Sequence, residues 1–157
     1  MSIFKPTLDT KVPPPVVATI IAMAMWSLSA YGPVITLSAE ITETLILLLV
    51  IVGVSFDVCG LLAFRQSKTT INPMDPNKTT ALVTSGIYRF SRNPMYVGLV
   101  LFLTAWAIQL LMLWPFIGPV LFIIYINQFQ IKPEERVMES KFEDEYSTYK
   151  NKVRRWL

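Results

Sequence analysis

Residues 44–64 read TLILLLVIVGVSFDVCGLLAF, an apolar run that only Ser55 and Asp57 interrupt. A helix of about 20 apolar residues is long enough to cross the hydrocarbon core of a bilayer. The pattern therefore predicts an all-α integral membrane protein with four transmembrane helices in a single domain covering residues 1–157. The other three runs cover residues 14–31, 96–113 and 115–131.

The last two runs are separated only by the break at Trp114 and Pro115. A proline cannot continue the interior of a helix, but it is tolerated in the first helical turn. With almost no loop between them, these two helices are expected to form a tight hairpin.

The composition of the chain excludes several kinds of chemistry. Its 157 residues include no histidine and one cysteine, and 53% of them are hydrophobic. A Ser-His-Asp triad, a histidine metal ligand and an intrachain disulfide are therefore absent, and we expect no metal site. A net charge of +3 without a basic stripe on a soluble face argues against nucleic acid as a partner.

The basic residues predict the orientation in the membrane. All 14 lysines and arginines lie before the first run, between the second and third runs, or after the fourth. Basic residues favour the cytoplasmic side, so both termini and the segments 65–95 and 132–157 are predicted to be cytoplasmic. No span carries a GxxxG motif that would indicate a helix-pairing face, and the sequence leaves the oligomeric state open.

Arginines and turn-forming residues precede the third run, where residues 86–98 read GIYRFSRNPMYVG. Pro94 suits the first turn of a helix and Asn93 suits its N-cap. Arg89 and Arg92 then lie beside a helix N-terminus, which is a natural site for an anion. A structural interpretation stays open, in which these arginines only follow the positive-inside pattern beside a capped helix.

Amide side chains and two acids mark the end of the fourth run, which reads YINQFQIKPEER. Asn127, Gln130 and Glu134 are spaced three and four residues apart, which predicts that they share one face of a helix. Amides at the end of a membrane helix are costly unless they face protein or water. The alternative for Glu134 and Glu135 is a solvated helix start, where acids are favoured by the helix dipole.

The C-terminal segment has helical periodicity, with apolar or aromatic residues every three or four positions from Met138 to Trp156. It predicts a cytoplasmic amphipathic helix on the membrane surface or over the end of the bundle. Asp57 lies inside the second run, where an acid is a candidate functional residue. It is about two turns from Arg65, so that snorkelling towards the cytoplasmic edge is the competing explanation.

At these residues the chain resembles a known family. LVTSGIYRFSRNPMYVG at residues 82–98, followed by EERVMESKFEDEYSTYKNKVRRW at residues 134–156, is similar to the integral-membrane methyltransferases. These include isoprenylcysteine carboxyl methyltransferase and the phospholipid N-methyltransferases. The resemblance covers residues 68–157, and the absence of any GxGxxG motif agrees with a cofactor site built without a Rossmann domain.

The resemblance implies that S-adenosylmethionine is held on the cytoplasmic side. The positions that match the family's cofactor site are Thr80, Ala81, Leu82, Val83, Tyr88, Asn93, Pro94, Met95, Tyr96 and Glu134. Three positions depart from the carboxyl methyltransferases or the family pattern: Asn93 replaces a histidine, Gln130 replaces a substrate-binding arginine, and Glu143 replaces a glycine.

Methyl transfer from a sulfonium is an in-line displacement, in which alignment of the reactants supplies much of the catalysis. We assign Arg89, Arg92 and Glu135 to catalysis, with one arginine neutralising an anionic group of the cofactor or acceptor. Asn127 and Gln130 are assigned to acceptor binding. An amine acceptor must first lose a proton, whereas a carboxylate needs no base.

The expected acceptor is amphipathic and enters from the bilayer. A prenylated cysteine carboxylate, a phosphatidylethanolamine amine and another lipid-like molecule remain the alternatives. A different class also stays open, that of a small four-helix transporter or an accessory membrane subunit. A proton-coupled exporter requires an acid deep in a span, and Asp57 is the only such residue.

Overall fold

The computed structural model describes residues 11–67 and 81–157, which are all-helical apart from turns and one isolated bridge. Short 3-10 turns lie at Gly86–Arg89 and Trp114–Phe116, and a π-helical turn lies at Asn127–Ile131. The α-helices are α1 Pro14–Leu28, α2 Ala39–Gln66, α3 Pro94–Leu110, α4 Ile117–Ile126 and α5 Lys132–Lys152.

Local sequence signals account for where the helices begin and end. Prolines occupy the first turns of α1 and α3, where a missing N–H costs nothing. Ser38 caps α2, because its hydroxyl accepts the N–H of Ile41 at 3.3 Å. The helix α3 ends before the predicted residue 113, because Leu111 adopts a left-handed conformation with φ of 51°.

The fourth apolar run and the C-terminal segment form one helical path from Trp114 to Lys152. The apolar part of this path ends at Ile131, and charged residues follow from Lys132. Inside α5 the backbone departs from helical geometry at Glu143, with φ 39° and ψ −113°. The predicted amphipathic helix is therefore present, but it has no loop before it and bends after Phe142.

Contacts between the helices place the α1–α2 connection and the α3–α4 turn at the same end of the protein. The helix α2 packs along α3, while α1 packs against both α3 and α4. Met25, Ala107 and Phe122 lie at the centre of the core and are almost fully buried. At one end the α1–α2 connection pairs with the α3–α4 turn, since the N–H of Ile35 donates to the carbonyl of Leu111 at 2.8 Å. Residues 81–93 and 132–157 lie at the opposite end, which we call the polar end.

Two helices are long and apolar enough to cross a membrane, Ala39–Gln66 and Trp114–Lys152. The most apolar part of α2 has a mean hydropathy of 2.7 and is largely unburied within the protein. Helices α1 and α3 are apolar but shorter. Extensive apolar exposure on α2 is what a lipid-facing helix requires, while the number of four spans stays a prediction.

Candidate active site

A cavity of about 640 Å³ lies at the polar end. Pockets of this size accommodate small-molecule ligands and cofactors. The prolines that begin α1, the second half of α2, the start of α3 and the first part of α5 form its walls. Apolar walls from the helices thus meet polar side chains from residues 88–96 and 134–149 in one space.

Glu134 is the centre of a hydrogen-bond network at this cavity. The hydroxyl of Tyr96 donates to Oε1 of Glu134 at 2.7 Å, and Nε2 of Gln130 donates to the same oxygen at 2.6 Å. Burial raises the pKa of Glu134 to about 7, and its two hydrogen bonds oppose that rise. A carboxyl with such a pKa changes its charge near neutral pH.

Glu135 forms the second charged cluster, because two arginines contact it. Arg92 Nη2 lies 2.9 Å from Oε1 of Glu135, while Arg155 donates through Nε to Oε1 at 3.0 Å and through Nη2 to Oε2 at 2.6 Å. The side chain of Arg92 is only 8% exposed. Its Nε and Nη1 atoms are buried and have no hydrogen-bond partner within the described ranges.

The C-terminal tail of residues 153–157, which follows α5, is tied across the start of α3. The side-chain amide of Asn93 donates to the carbonyl of Arg155 at 2.9 Å, and the N–H of Arg92 donates to the carbonyl of Arg154 at 3.0 Å. Trp156 Nε1 also donates to Oδ1 of Asn127 at 3.2 Å. These bonds bring the end of the chain over the polar end and hold Arg155 beside Glu135.

Aromatic side chains complete the wall near Tyr88. The hydroxyl of Tyr149 donates to the backbone carbonyl of Tyr88 at 2.7 Å, and the ring of Phe64 meets the ring of Tyr88 edge-on. Burial raises the pKa of Tyr88, Tyr146 and Tyr149 well above the usual tyrosine value. These three hydroxyls therefore stay protonated at physiological pH.

A sequence model of the phospholipid methyltransferase family matches residues 41–145, which is more than half of the chain. The chain belongs to this family. The matched region includes nearly all of α2, all of α3 and α4 and most of α5, and so contains most of the cavity wall. The resemblance noted from the sequence is thus confirmed at the level of the family, which is one of membrane methyltransferases.

The chain is also similar to a protein from Haemophilus influenzae. This uncharacterized protein is 54% identical over 63 residues, which are 40% of this chain and all of that protein. No solved structure matches the chain.

Most of the predicted site residues of this family member meet at the cavity. Ten of them line it: Ala81, Leu82, Val83, Tyr88, Arg92, Asn93, Met95, Tyr96, Glu134 and Glu135. Thr80 lies outside the described residues. These residues therefore lie close together, and their functional roles stay predictions.

Four predicted site residues do not line the cavity. Pro94 is buried at the start of α3, and Arg89 is exposed at the end of the 3-10 turn. Gln130 is buried and donates a hydrogen bond to Glu134, which lines the cavity. Asn127 accepts the hydrogen bond from Trp156, so its side chain holds the C-terminal tail.

Sequence reasoning missed several parts of the wall. Tyr146 and Tyr149 belong to the periodic stripe of the C-terminal segment and are not among the predicted site residues, yet both line the cavity. Arg155 had no local signal, because its partner Glu135 lies 20 residues away. Asp57, for which a functional role and snorkelling were both open, also lines the cavity.

Proposed function

We propose that this chain transfers a methyl group from S-adenosylmethionine to an amphipathic, lipid-like acceptor inside the cavity at the polar end. The observation that carries this proposal is the meeting, in one cavity, of the family's motif residues with the apolar wall of α2. The motif residues suit a polar cofactor, and the wall suits an apolar chain. One space thus offers surfaces for both reactants.

The residues present fit the cofactor. S-adenosylmethionine carries two cationic groups, a sulfonium and an ammonium, which a protein carboxylate attracts. It also carries a carboxylate of its own, which an arginine attracts. Glu134 supplies the negative charge, and Arg92 supplies two guanidinium nitrogens that have no partner within the described ranges. When bound, the cofactor supplies an electrophilic methyl group on sulfur.

The roles of the two acids differ in this proposal. Glu134, held by Tyr96 and Gln130, faces the cavity and binds the cationic part of the cofactor. Glu135 is saturated by Arg92 and Arg155, so that it positions Arg92 instead of contacting a reactant. Catalysis rests on alignment, since a rigid arrangement of the reactants can contribute roughly 7–11 kcal/mol.

The acceptor reaches the cavity from the lipid. Val58 and Leu61 line the cavity, and they are also 48% and 41% exposed on the surface of α2. A wall whose residues face both the cavity and the lipid lets an acyl or prenyl chain stay in the membrane while its head group reacts. Both a prenylated cysteine carboxylate and a phospholipid amine fit this description.

We further propose that α1 and α3 also cross the membrane, so that four helices form one membrane-embedded domain with the polar end in the cytoplasm. The basic residues of the described ranges lie at or near that end, while the paired connections at the other end carry none. This distribution satisfies the positive-inside rule with both termini in the cytoplasm.

Isothermal titration calorimetry with S-adenosylmethionine tests the proposal on the full chain in detergent. We expect the wild type to bind and Glu134→Ala and Tyr88→Ala to weaken binding at least about tenfold, a loss of about 1.4 kcal/mol each. Glu145→Ala is the matched control, because Glu145 is an exposed acid of the same helix α5 and lies outside the cavity wall, so that this variant should bind normally.

Radiolabelled methyl transfer into a total lipid extract then identifies the class of acceptor. Folded wild type that binds no S-adenosylmethionine would overturn the proposed function. Normal binding by both cavity variants would leave a methyltransferase but would refute this location for the cofactor.

A further inference from the structure

The C-terminal tail of residues 153–157 contacts the cavity wall without lining the cavity itself. Three of the residues that it contacts do line the cavity, namely Arg92, Asn93 and Glu135. An effect of the tail on a bound reactant therefore passes through these residues. Arg155 makes two of the contacts, since its backbone carbonyl accepts from Asn93 and its side chain reaches Glu135.

Two guanidinium groups share the carboxylate of Glu135. Arg155 approaches it as a fork, with Nε donating to Oε1 at 3.0 Å and Nη2 donating to Oε2 at 2.6 Å. Such two-point pairs are the strong form of an arginine–carboxylate contact. Arg92 contacts the same carboxylate through Nη2, which lies 2.9 Å from Oε1. Arg155 thus occupies both oxygens of Glu135, and Arg92 shares one of them.

This sharing leaves hydrogen-bond donors on Arg92. Its side chain is 8% exposed, and among residues 11–67 and 81–157 its Nε and Nη1 atoms have no hydrogen-bond partner. Buried donors without a partner are unfavourable, so these atoms favour an anion that a ligand brings. Without Arg155, the carboxylate of Glu135 would be free to form the two-point pair with Arg92 and would take up one of these donors.

We propose that Arg155 is a positioning residue for the cofactor: by pairing with both oxygens of Glu135, it keeps Nε and Nη1 of Arg92 available for the carboxylate of S-adenosylmethionine. The inference rests on the proposed function and adds to it the residue that prepares Arg92. The backbone of the tail acts in the same direction. The N–H of Arg92 donates to the carbonyl of Arg154 at 3.0 Å, which holds the main chain of Arg92 while Glu135 holds its side chain.

Arg155→Lys separates this role from a purely structural one. The substitution keeps the positive charge, but an ammonium is a point charge and cannot form a fork with a carboxylate. One oxygen of Glu135 then becomes free for a second contact with Arg92. The proposed role predicts weaker binding of a ligand that carries a carboxylate, whereas a structural role predicts weaker binding of every ligand of the cavity.

The test compares two ligands on the full chain in detergent by isothermal titration calorimetry. They are S-adenosylmethionine and decarboxylated S-adenosylmethionine, which keeps the sulfonium and the amine but lacks the carboxylate. We expect the wild type to bind S-adenosylmethionine at least about tenfold more tightly, as charge-assisted hydrogen bonds would provide. Arg155→Lys should bind S-adenosylmethionine about tenfold more weakly than the wild type and should bind the decarboxylated ligand equally well.

A double-mutant cycle shows whether Arg155 acts through Arg92. Arg92→Met removes the guanidinium and should bind the two ligands with nearly equal affinity. Adding Arg155→Lys to Arg92→Met should change neither affinity further, because the residue through which Arg155 acts is then absent.

Arg154→Lys is the matched control, because it makes the same substitution in the neighbouring residue, whose side chain is exposed. The backbone carbonyl of Arg154 stays in place, and this variant should bind both ligands as the wild type does. Arg155→Met is a second variant of the tested residue. It removes both side-chain contacts with Glu135 and should lose the same preference, so that a folding failure of Arg155→Lys does not decide the result.

Four results would overturn the inference. Equal binding of the two ligands by the wild type would show that Arg92 does not hold the cofactor's carboxylate. An undiminished preference in the Arg155 variants, or an equal loss of affinity for both ligands, would show that Arg155 does not prepare Arg92. A further loss on adding Arg155→Lys to Arg92→Met would show that Arg155 acts elsewhere.

Each of these results leaves the wild type with a bound cofactor and the proposed function intact. Absence of binding of both ligands by folded wild type is a different result, which removes the proposed function and this inference with it.

Discussion

The hydroxyl of Tyr96 donates a 2.7 Å hydrogen bond to Oε1 of Glu134 and so joins the start of α3 to the start of α5 across 38 residues. The side chain of Gln130 donates to the same oxygen from one helical turn before. Two donors on one oxygen hold the carboxyl in a single orientation against the cavity. The family's two motifs therefore meet at this carboxyl.

Cofactor affinity should rise with pH through about 7. Burial raises the pKa of Glu134 from 4.5 to about 7, so that the carboxyl is mostly neutral at pH 6 and mostly ionised at pH 8. A cationic ligand favours the ionised form, and its binding therefore releases a proton from Glu134. Calorimetry at pH 6 and pH 8 should show tighter binding at pH 8.

Glu134→Gln separates this effect from other titrations. The amide keeps the size of the side chain but carries no charge at either pH, so binding should be weaker and nearly independent of pH. Tyr88, Tyr146 and Tyr149 stay protonated over this range and add no dependence. An unchanged pH profile in Glu134→Gln would show that another group titrates.

Loss of Glu135 should destabilise the protein more than loss of Arg155. Glu135→Gln leaves the buried guanidinium of Arg92 without its counter-ion, at a cost of about 3–5 kcal/mol. Arg155→Met should cost only about 1–2 kcal/mol, because its side chain is one-third exposed and Glu135 keeps Arg92. Thermal unfolding in detergent measures both.

Lys150→Met is the control for this comparison. Lys150 pairs with Glu139 on the surface, where both side chains are well exposed. Such a change should alter the free energy of unfolding by less than about 0.5 kcal/mol. Equal destabilisation by Glu135→Gln and Lys150→Met would mean that the buried network adds no stability.

Hydropathy was sufficient to predict the helices and the polar end, because apolar runs and basic residues are properties of continuous sequence. Residue spacing was less informative about the contacts of the Asn127 side chain. The spacing of Asn127, Gln130 and Glu134 assumes 3.6 residues per turn, but Asn127–Ile131 forms a π-helical turn with a wider repeat. Gln130 still meets Glu134, whereas Asn127 turns to Trp156.

The contacts that the end of the chain makes with the rest of the site could not be predicted from local sequence patterns. Arg155 reaches Glu135, and Tyr149 reaches the carbonyl of Tyr88, only because the chain bends at Glu143 and returns over α3. No periodicity marks such a bend. The one signal was the family's glycine at the position of Glu143, since glycine is favoured where φ is positive.

Glu143→Gly should stabilise the protein. Glu143 has φ 39° and ψ −113°, a conformation that costs a residue with a side chain on the order of 1–3 kcal/mol and costs glycine little. Part of this gain is offset by the larger entropy of glycine in the unfolded chain, which leaves about 1 kcal/mol. Thermal unfolding measures the gain as a higher melting temperature.

Glu145→Gly provides the comparison two residues away. Glu145 is exposed and has ordinary helical geometry, so glycine there should destabilise by about 1 kcal/mol. Opposite signs for the two substitutions are the expected outcome. Destabilisation by both would place Glu143 in a regular helix.

The proposed orientation predicts opposite labelling of the two ends of the protein. In a Cys59→Ala background, Glu40→Cys at the start of α2 should react with a membrane-impermeant maleimide added to intact cells. Lys152→Cys at the end of α5 should react only after the membrane is permeabilised. Both positions are exposed, so local burial does not decide the result. Because the connection near Glu40 carries no base and the polar end carries many, the reverse pattern would contradict the positive-inside rule for this chain.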